Sequence, residues 1–171
     1  MVGCGNSKLS EDMALDGYPL ITNMDISPVV VKKMAEHYCA QNDSKTEFTG
    51  FEFNVLDATC MPYRDNAFDF CVDKGTFDAL ACGPDKLILG RLLQEMTRVS
   101  KHGIILISSG TPERRMHFFD DFLGEDVEVE HEKIEVSKLA QLINLLRTEL
   151  KDKPLSHAMK NDHQVFKKAF L

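Results

Sequence analysis

No stretch of this 171-residue sequence approaches 18 consecutive apolar residues, so no membrane-crossing helix can be read in it. The first residues lack the charged segment and apolar run of a signal peptide. Cys4, Cys39, Cys60, Cys71 and Cys82 form no CxxC pair, which argues against a zinc site of the usual spacing and a secreted disulfide framework. The six histidines make no HExxH motif, so metalloprotease chemistry is excluded and no metal is expected. Basic residues are in deficit, 20 against 27 acidic, for a net charge of −7. Generic affinity for nucleic acid or an anionic membrane calls for the opposite sign. No internal repeat is present. The expectation is a soluble, cytoplasmic domain with neither nucleic acid nor membrane as partner.

Apolar residues make up 43% of the chain and charged ones 27%, a balance that folds. The length suits a single domain over residues 1–171. Segments alternate in type. Leu9 to Asp16 reads as a short helix with Ser7 or Ser10 as cap and Gly17 just past its end. Leu20 to Asp25 reads as a strand, and Ser27-Pro28 opens a helix whose Val30, Val31, Met34, Ala35 and Tyr38 share a face. Phe51 to Val55 and Phe68 to Asp73 read as strands, Leu87 to Val99 as a helix, and Gly103 to Ser109 as a strand buried on both faces. Such alternation predicts a Rossmann-like, doubly wound α/β sheet. Beyond Ser109 the segments near Val127 to Val136 and His163 to Phe170 alternate apolar and polar residues, with a helix at Ser137 to Leu150 between them. Those two strands are expected to pair antiparallel at a sheet edge.

Four stretches fall where a doubly wound sheet places its ligand, at the carboxyl ends of strands. Gly3-Cys4-Gly5-Asn6-Ser7 is a glycine loop, suited to close backbone approach by a ligand or simply to a tight strand–helix turn. Its third dinucleotide-motif glycine is replaced by Lys8. Asp25 follows Gly3 by about twenty residues, a spacing that suits a carboxylate accepting from both ribose hydroxyls, or else a helix-terminal charge. Ile26 would lie against an adenine face or in the core. Asp57, in Leu56-Asp57-Ala58, suits the adenine amine or a turn. Asp73 and Lys74 end a strand before Gly75 as ligand contacts or as a surface ion pair. Cys4, Cys71, Met61, Phe118 and Phe119 read as packing residues.

Together, VGCGNS (Val2 to Ser7), ITNMDIS (Ile21 to Ser27), NVLDAT (Asn54 to Thr59) and AFDFCVDKGTFDAL (Ala67 to Leu80) resemble the class I, seven-strand S-adenosylmethionine-dependent methyltransferases. The nearer likeness is to the branch that methylates lysines of translation elongation factor 1-alpha, the methyltransferase-like 13 group. It runs in order to about Ser109. The resemblance implies S-adenosyl-L-methionine as cofactor, with Gly3 and Gly5 bordering its methionine part, Asp25 at the ribose, and Asp57 and Ala58 at the adenine; Asn6 and Ile26 are expected among the cofactor contacts. It also implies Lys74 as a cofactor contact and Asp73 beside the methyl position. The acceptor it implies is a protein lysine, and no catalytic nucleophile is expected. Relatives carry an N-terminal helix and a full first strand, whereas only Met1 and Val2 precede this glycine loop, so the N-terminal part is expected to be truncated. A catalytically weak methyltransferase-like module that binds cofactor or partners is the alternative. A nicotinamide-dependent reductase fits poorly, because no Tyr is followed four residues on by Lys.

Overall fold

The computed structural model describes residues 1–39, 48, 50–123, 128–133 and 165–170, and the chain divides into two compact units, Met1–Ala58 and Thr59–Leu171. In the first, β1 (Ile21–Asp25) and β2 (Phe51–Val55) pair in parallel, so Asp25 and Val55 end side by side. On the other side of β1, Val2 forms a parallel bridge with Met24, and the Cys4 N–H donates to the Met24 carbonyl at 2.9 Å. The glycine loop therefore leaves the sheet at the same end as Asp25.

Helix α1 (Leu9–Leu15) stops where the sequence places a left-handed residue. Gly17 has φ +100°, its N–H donates to the Ala14 carbonyl, and the Tyr18 N–H donates to that of Met13, the paired bonds of a Schellman ending. Its start differs from expectation in one respect. Ser7 Oγ accepts the Leu9 N–H at 3.2 Å, but Ser10 is buried and donates to Asn23 Oδ1 at 2.6 Å. Ser10 lies inside the helix, so its hydroxyl serves a buried polar neighbour rather than the helix end. Helix α2 (Pro28–Cys39) begins as read: Ser27 Oγ accepts the Val30 N–H at 3.3 Å and Pro28 takes the first helical position. Val31, Met34 and Tyr38 are buried, and the Tyr38 ring stacks on Phe53 at 5.7 Å.

In the second unit the strand order is β3–β4–β6–β5, with β3 Phe68–Lys74, β4 Ser100–Ser108, β5 Glu128–Lys133 and β6 Val165–Phe170. Between β3 and β4 come α3 (Thr76–Ala81) and α4 (Leu87–Val99). Leu89, Leu92, Leu93, Met96 and Val99 of α4 are wholly buried, as its apolar stripe requires, and β4 is buried along nearly its whole length. Full burial of each such side chain stabilises the fold by roughly 1.5–3 kcal/mol. Arg98 fastens the preceding loop to α4 by donating to the carbonyls of Tyr63 and Met61 and to Glu95 and Asp65. Helix α5 (Pro112–Leu123) was not anticipated, although Thr111-Pro112 is a good start signal and Phe118 and Phe119 are buried.

The two late strands do not form an antiparallel pair. β5 and β6 run parallel, from Glu128 opposite Val165 to Lys133 opposite Phe170, and β6 is parallel to β4 as well. Apolar–polar alternation marks a half-exposed strand but carries no direction, and the intervening residues 134–164 exceed the dozen or so that a parallel crossover needs. The helix expected at Ser137 to Leu150 lies outside the described residues. Six strands lie within the described residues, in a mixed α/β arrangement. None of the described helices is long and apolar enough to cross a membrane.

Gly90, inside α4, faces Phe122, and a Cβ added there would come within 2.5 Å of that ring. Gly→Ala in an exposed helix ordinarily stabilises by ~1 kcal/mol. Here G90A is expected to lower the melting temperature by overpacking the α4–α5 contact. A higher Tm in a thermal scan contradicts this packing.

Candidate functional site

Three stretches of the first unit meet at the carboxyl ends of its strands. The Asp25 carboxylate accepts the Gly5 N–H on Oδ2 at 2.9 Å and the Ser27 N–H on Oδ1 at 2.9 Å. It thus pins the glycine loop on one side and the entry of α2 on the other. The Asp25 carbonyl accepts the Leu56 N–H at 3.0 Å, which draws Leu56, Asp57 and Ala58 to the same edge. A carboxylate has about four lone-pair directions, so this one keeps acceptor capacity after both amides are served. Asp25 is half-buried, Asn6 and Asp57 are exposed, and Ala58 is half-buried. Ile26, next to Asp25, is 71% exposed, an unusual setting for a large aliphatic side chain and one that leaves its surface open to a flat apolar partner.

The loop's backbone explains its glycines. Gly3 and Gly5 have φ +57° and +52°, a conformation that costs other residues energy. A Cβ at Gly5 would meet no atom within 4 Å, so the space above the loop is open. Cys4 between them is buried. Burial, with Asp25 nearby, pushes its thiol up, so it is a packed group rather than a reactive one.

In the second unit Asp73 and Lys74 end β3, and Gly75 turns the chain at φ +96° into α3. Asp73 is not half of a surface ion pair, because it is wholly buried. Its carboxylate accepts the Phe77 N–H, at 3.1 Å to Oδ2, and hydrogen bonds from the Thr76 hydroxyl and N–H. Burial pushes its pKa up to about 7, against the pull of those hydrogen bonds. Lys74 is half-buried at the strand's end. Asp73 therefore holds the turn that presents Lys74.

A second polar cluster in this unit was missed in the sequence. Asp78 on α3 accepts from Ser108 Oγ at 2.5 Å, from the Ser109 N–H at 2.6 Å and Oγ at 2.8 Å, and from Arg115 Nε at 3.1 Å. Burial alone would raise the Asp78 pKa, but the bonds from Ser108 and Ser109 and the Arg115 charge hold it below the usual carboxylate value. Its members are some 30 positions apart in the chain, and no local pattern marks such a cluster.

A buried acid with a raised pKa takes up a proton on folding between its unfolded and folded values, so its stabilising contribution is largest at low pH and is lost as pH rises through about 7. Melting curves of the wild type and D73N between about pH 5 and pH 8 test this. The wild type should lose stability relative to D73N as pH rises, and parallel curves would contradict the account.

The model of the methyltransferase domain family matches residues 2–168. Over 127 residues the chain is 39% identical to the eEF1A lysine and N-terminal methyltransferase homolog of Drosophila melanogaster, covering 72% of this chain and 18% of that protein. It is 39% identical to the human eEF1A lysine and N-terminal methyltransferase over 60% of this chain and 14% of that one. It is 30% identical to mouse EEF1A lysine methyltransferase 4, over 69% of this chain and 48% of its relative. The chain thus spans less than half the length of each of these curated relatives. A solved SAM-dependent methyltransferase from Methanosarcina mazei superposes with a TM-score of 0.52 at 25% identity, over 77% of this chain and 64% of that one. With strand ends that gather a glycine loop and an acid, and a family match across nearly its whole length, the chain belongs to the methyltransferase domain family, as a class I S-adenosylmethionine-dependent member.

Proposed function

We propose that this chain transfers a methyl group from S-adenosyl-L-methionine to a lysine side chain of a protein, with translation elongation factor 1-alpha as the acceptor, in the cytoplasm. The observation that carries the cofactor part is the Asp25 carboxylate, which reaches both the Gly5 and Ser27 amides while Ile26 beside it stays exposed. The acceptor part is supported by what the relatives are named for.

The residues present suit the cofactor. Asp25 would accept from the ribose hydroxyls with its remaining lone pairs, and Ile26 would cover an adenine face. Asp57 and Ala58 would meet the adenine edge. Gly3, Gly5 and Asn6 would border the methionine portion, where the open space above Gly5 admits a ligand. Lys74 is proposed as a further contact, with Asp73 setting the turn that holds it. When bound, the cofactor supplies a methyl group on a positively charged sulfur. The chain's own contribution is alignment, which can be worth up to ~7–11 kcal/mol when donor and acceptor are held in line. No protein nucleophile is needed, and the acceptor amine can release its proton to water.

D25A should weaken S-adenosylhomocysteine binding by ~1.5–3 kcal/mol, the scale of hydrogen bonds to a charged group. An unchanged dissociation constant in calorimetry removes Asp25 from the site. Incubation with methyl-labelled cofactor and purified elongation factor 1-alpha should label lysine. A chain that binds S-adenosylhomocysteine yet leaves the factor unlabelled contradicts the acceptor and favours a binding module.

A further inference from the structure

One face of β1 holds the chain that leaves the glycine loop at two points. Side chains alternate along a strand, so Asn23 and Asp25 share a face, about 6.5 Å apart along β1. Asp25 Oδ2 accepts the Gly5 N–H at 2.9 Å, and Asn23 Oδ1 accepts the Ser10 hydroxyl at 2.6 Å. Gly5 to Ser10 thus runs back along the strand, from the loop into the first turn of α1, with each end bonded to it. Between those ends the Ser7 N–H donates to the Cys4 carbonyl at 3.2 Å and Ser7 Oγ accepts the Leu9 N–H at 3.2 Å, so the segment is braced within itself as well.

The two points differ in kind. Asp25 is half-buried at the strand's end and keeps acceptor capacity for a ligand. Ser10 and Asn23, at 4% and 1% exposure, are enclosed in the core between α1 and β1. The Asn23 amide also donates to the Ile21 carbonyl of its own strand at 3.4 Å, which settles where its oxygen points. An apolar pair here would pack α1 on β1 about as stably, because replacing both members of a buried hydrogen bond by apolar groups of the same shape costs little. Apolar packing tolerates a helix sliding along a strand, whereas a hydrogen bond has a length and a direction. The Ser10–Asn23 bond therefore sets how far along β1 the helix sits, and the short braced segment carries that setting to Gly5.

We propose that Ser10 and Asn23 are positioning residues for the cofactor: their hydrogen bond sets the register of α1 on β1 and so holds Gly5 against Asp25 in the geometry that receives the ligand. The inference rests on the reading of Asp25 and the glycine loop as the cofactor's site. Neither Ser10 nor Asn23 touches the cofactor. Their loss acts at a distance, by letting the loop drift from the carboxylate that it shares with the ligand.

The test compares the full chain as wild type, S10A, N23L, S10A/N23L, Y38F and D25A, each for S-adenosylhomocysteine affinity by calorimetry and for Tm. S10A and N23L each break one side of the pair and should lower both quantities, affinity by about three- to tenfold, up to the worth of one neutral hydrogen bond. The double variant separates position from stability. Its Tm should return to near the wild-type value, because the buried polar pair is gone as a whole, while its affinity stays as low as in the single variants. Y38F removes a different bond to α1, that of the Tyr38 hydroxyl to Glu11 Oε2 at 3.2 Å, and should leave affinity nearly unchanged. In S10A, hydrogen exchange should quicken more at the Gly5 amide than at the Leu56 amide, which is bonded to the Asp25 carbonyl rather than to its side chain. That readout stands even if N23L and the double variant fold poorly. A double variant that recovers affinity along with Tm, a Y38F that binds as weakly as S10A, or Gly5 and Leu56 amides that quicken alike would make the pair a fold element only and overturn the proposal. A D25A that binds weakly while the Ser10 and Asn23 variants bind as tightly as wild type overturns the positioning role alone and leaves the cofactor site standing. A wild type that binds no S-adenosylhomocysteine, or a D25A that binds it undiminished, contradicts the site and removes this role with it.

Discussion

Two backbone amides from different parts of the first unit share one carboxylate, and the arrangement of that unit's functional edge follows from it. Gly5 and Ser27 are far apart in the chain, yet both donate to Asp25, at the end of β1. Without that acceptor the glycine loop would be held to the strand end only by the Val2 and Cys4 backbone contacts with Met24, with Gly5 unanchored, and α2 would lose part of its N-terminal anchoring. Hydrogen bonds to a charged acceptor are shorter and stronger than neutral ones. The same group has lone pairs left for a ligand, so loop order and ligand affinity are coupled through one side chain.

The second unit uses the same physics with a different balance. Asp73 also ends a strand and also serves amides, those of Thr76 and Phe77, but it is fully enclosed and its proton affinity is raised in consequence. Asp78, in the next turn, is surrounded by donors and an arginine, and its charge is favoured. Two carboxylates five positions apart thus differ in their preferred protonation state because full burial dominates at Asp73, whereas at Asp78 the bonds from Ser108 and Ser109 and the Arg115 charge outweigh burial. The first maintains a turn by hydrogen bonding, and the second joins three elements.

Much of this was legible in the sequence wherever the signal is local. Ser27-Pro28, Gly17 and the apolar stripe of Ile88, Leu92, Met96 and Val99, with Leu89 and Leu93 beside it, each encode a helix start, a helix stop or a buried face over a few residues, and the structure follows them except that Ile88 is only half-buried. The glycine loop and Asp25 could be paired from spacing alone, though not the fact that the acid bonds the loop directly. Strand direction at the sheet edge was not legible, since a period of two reads the same in both senses. Nor was the burial of Asp73, or the joining of Asp78 to Ser108, Ser109 and Arg115, because these depend on packing between segments that no short motif connects.

The central claim is that Asp25 organises the strand-end edge and receives the nucleoside of the cofactor. Its most direct test follows the backbone amide resonances of Gly5 and Ser27 during a titration with S-adenosylhomocysteine. The account predicts that these two amides, with Ile26, shift among the most strongly in the wild type, because a ligand hydroxyl on the shared carboxylate changes both hydrogen bonds. Saturable binding that leaves Gly5 and Ser27 unmoved would contradict it.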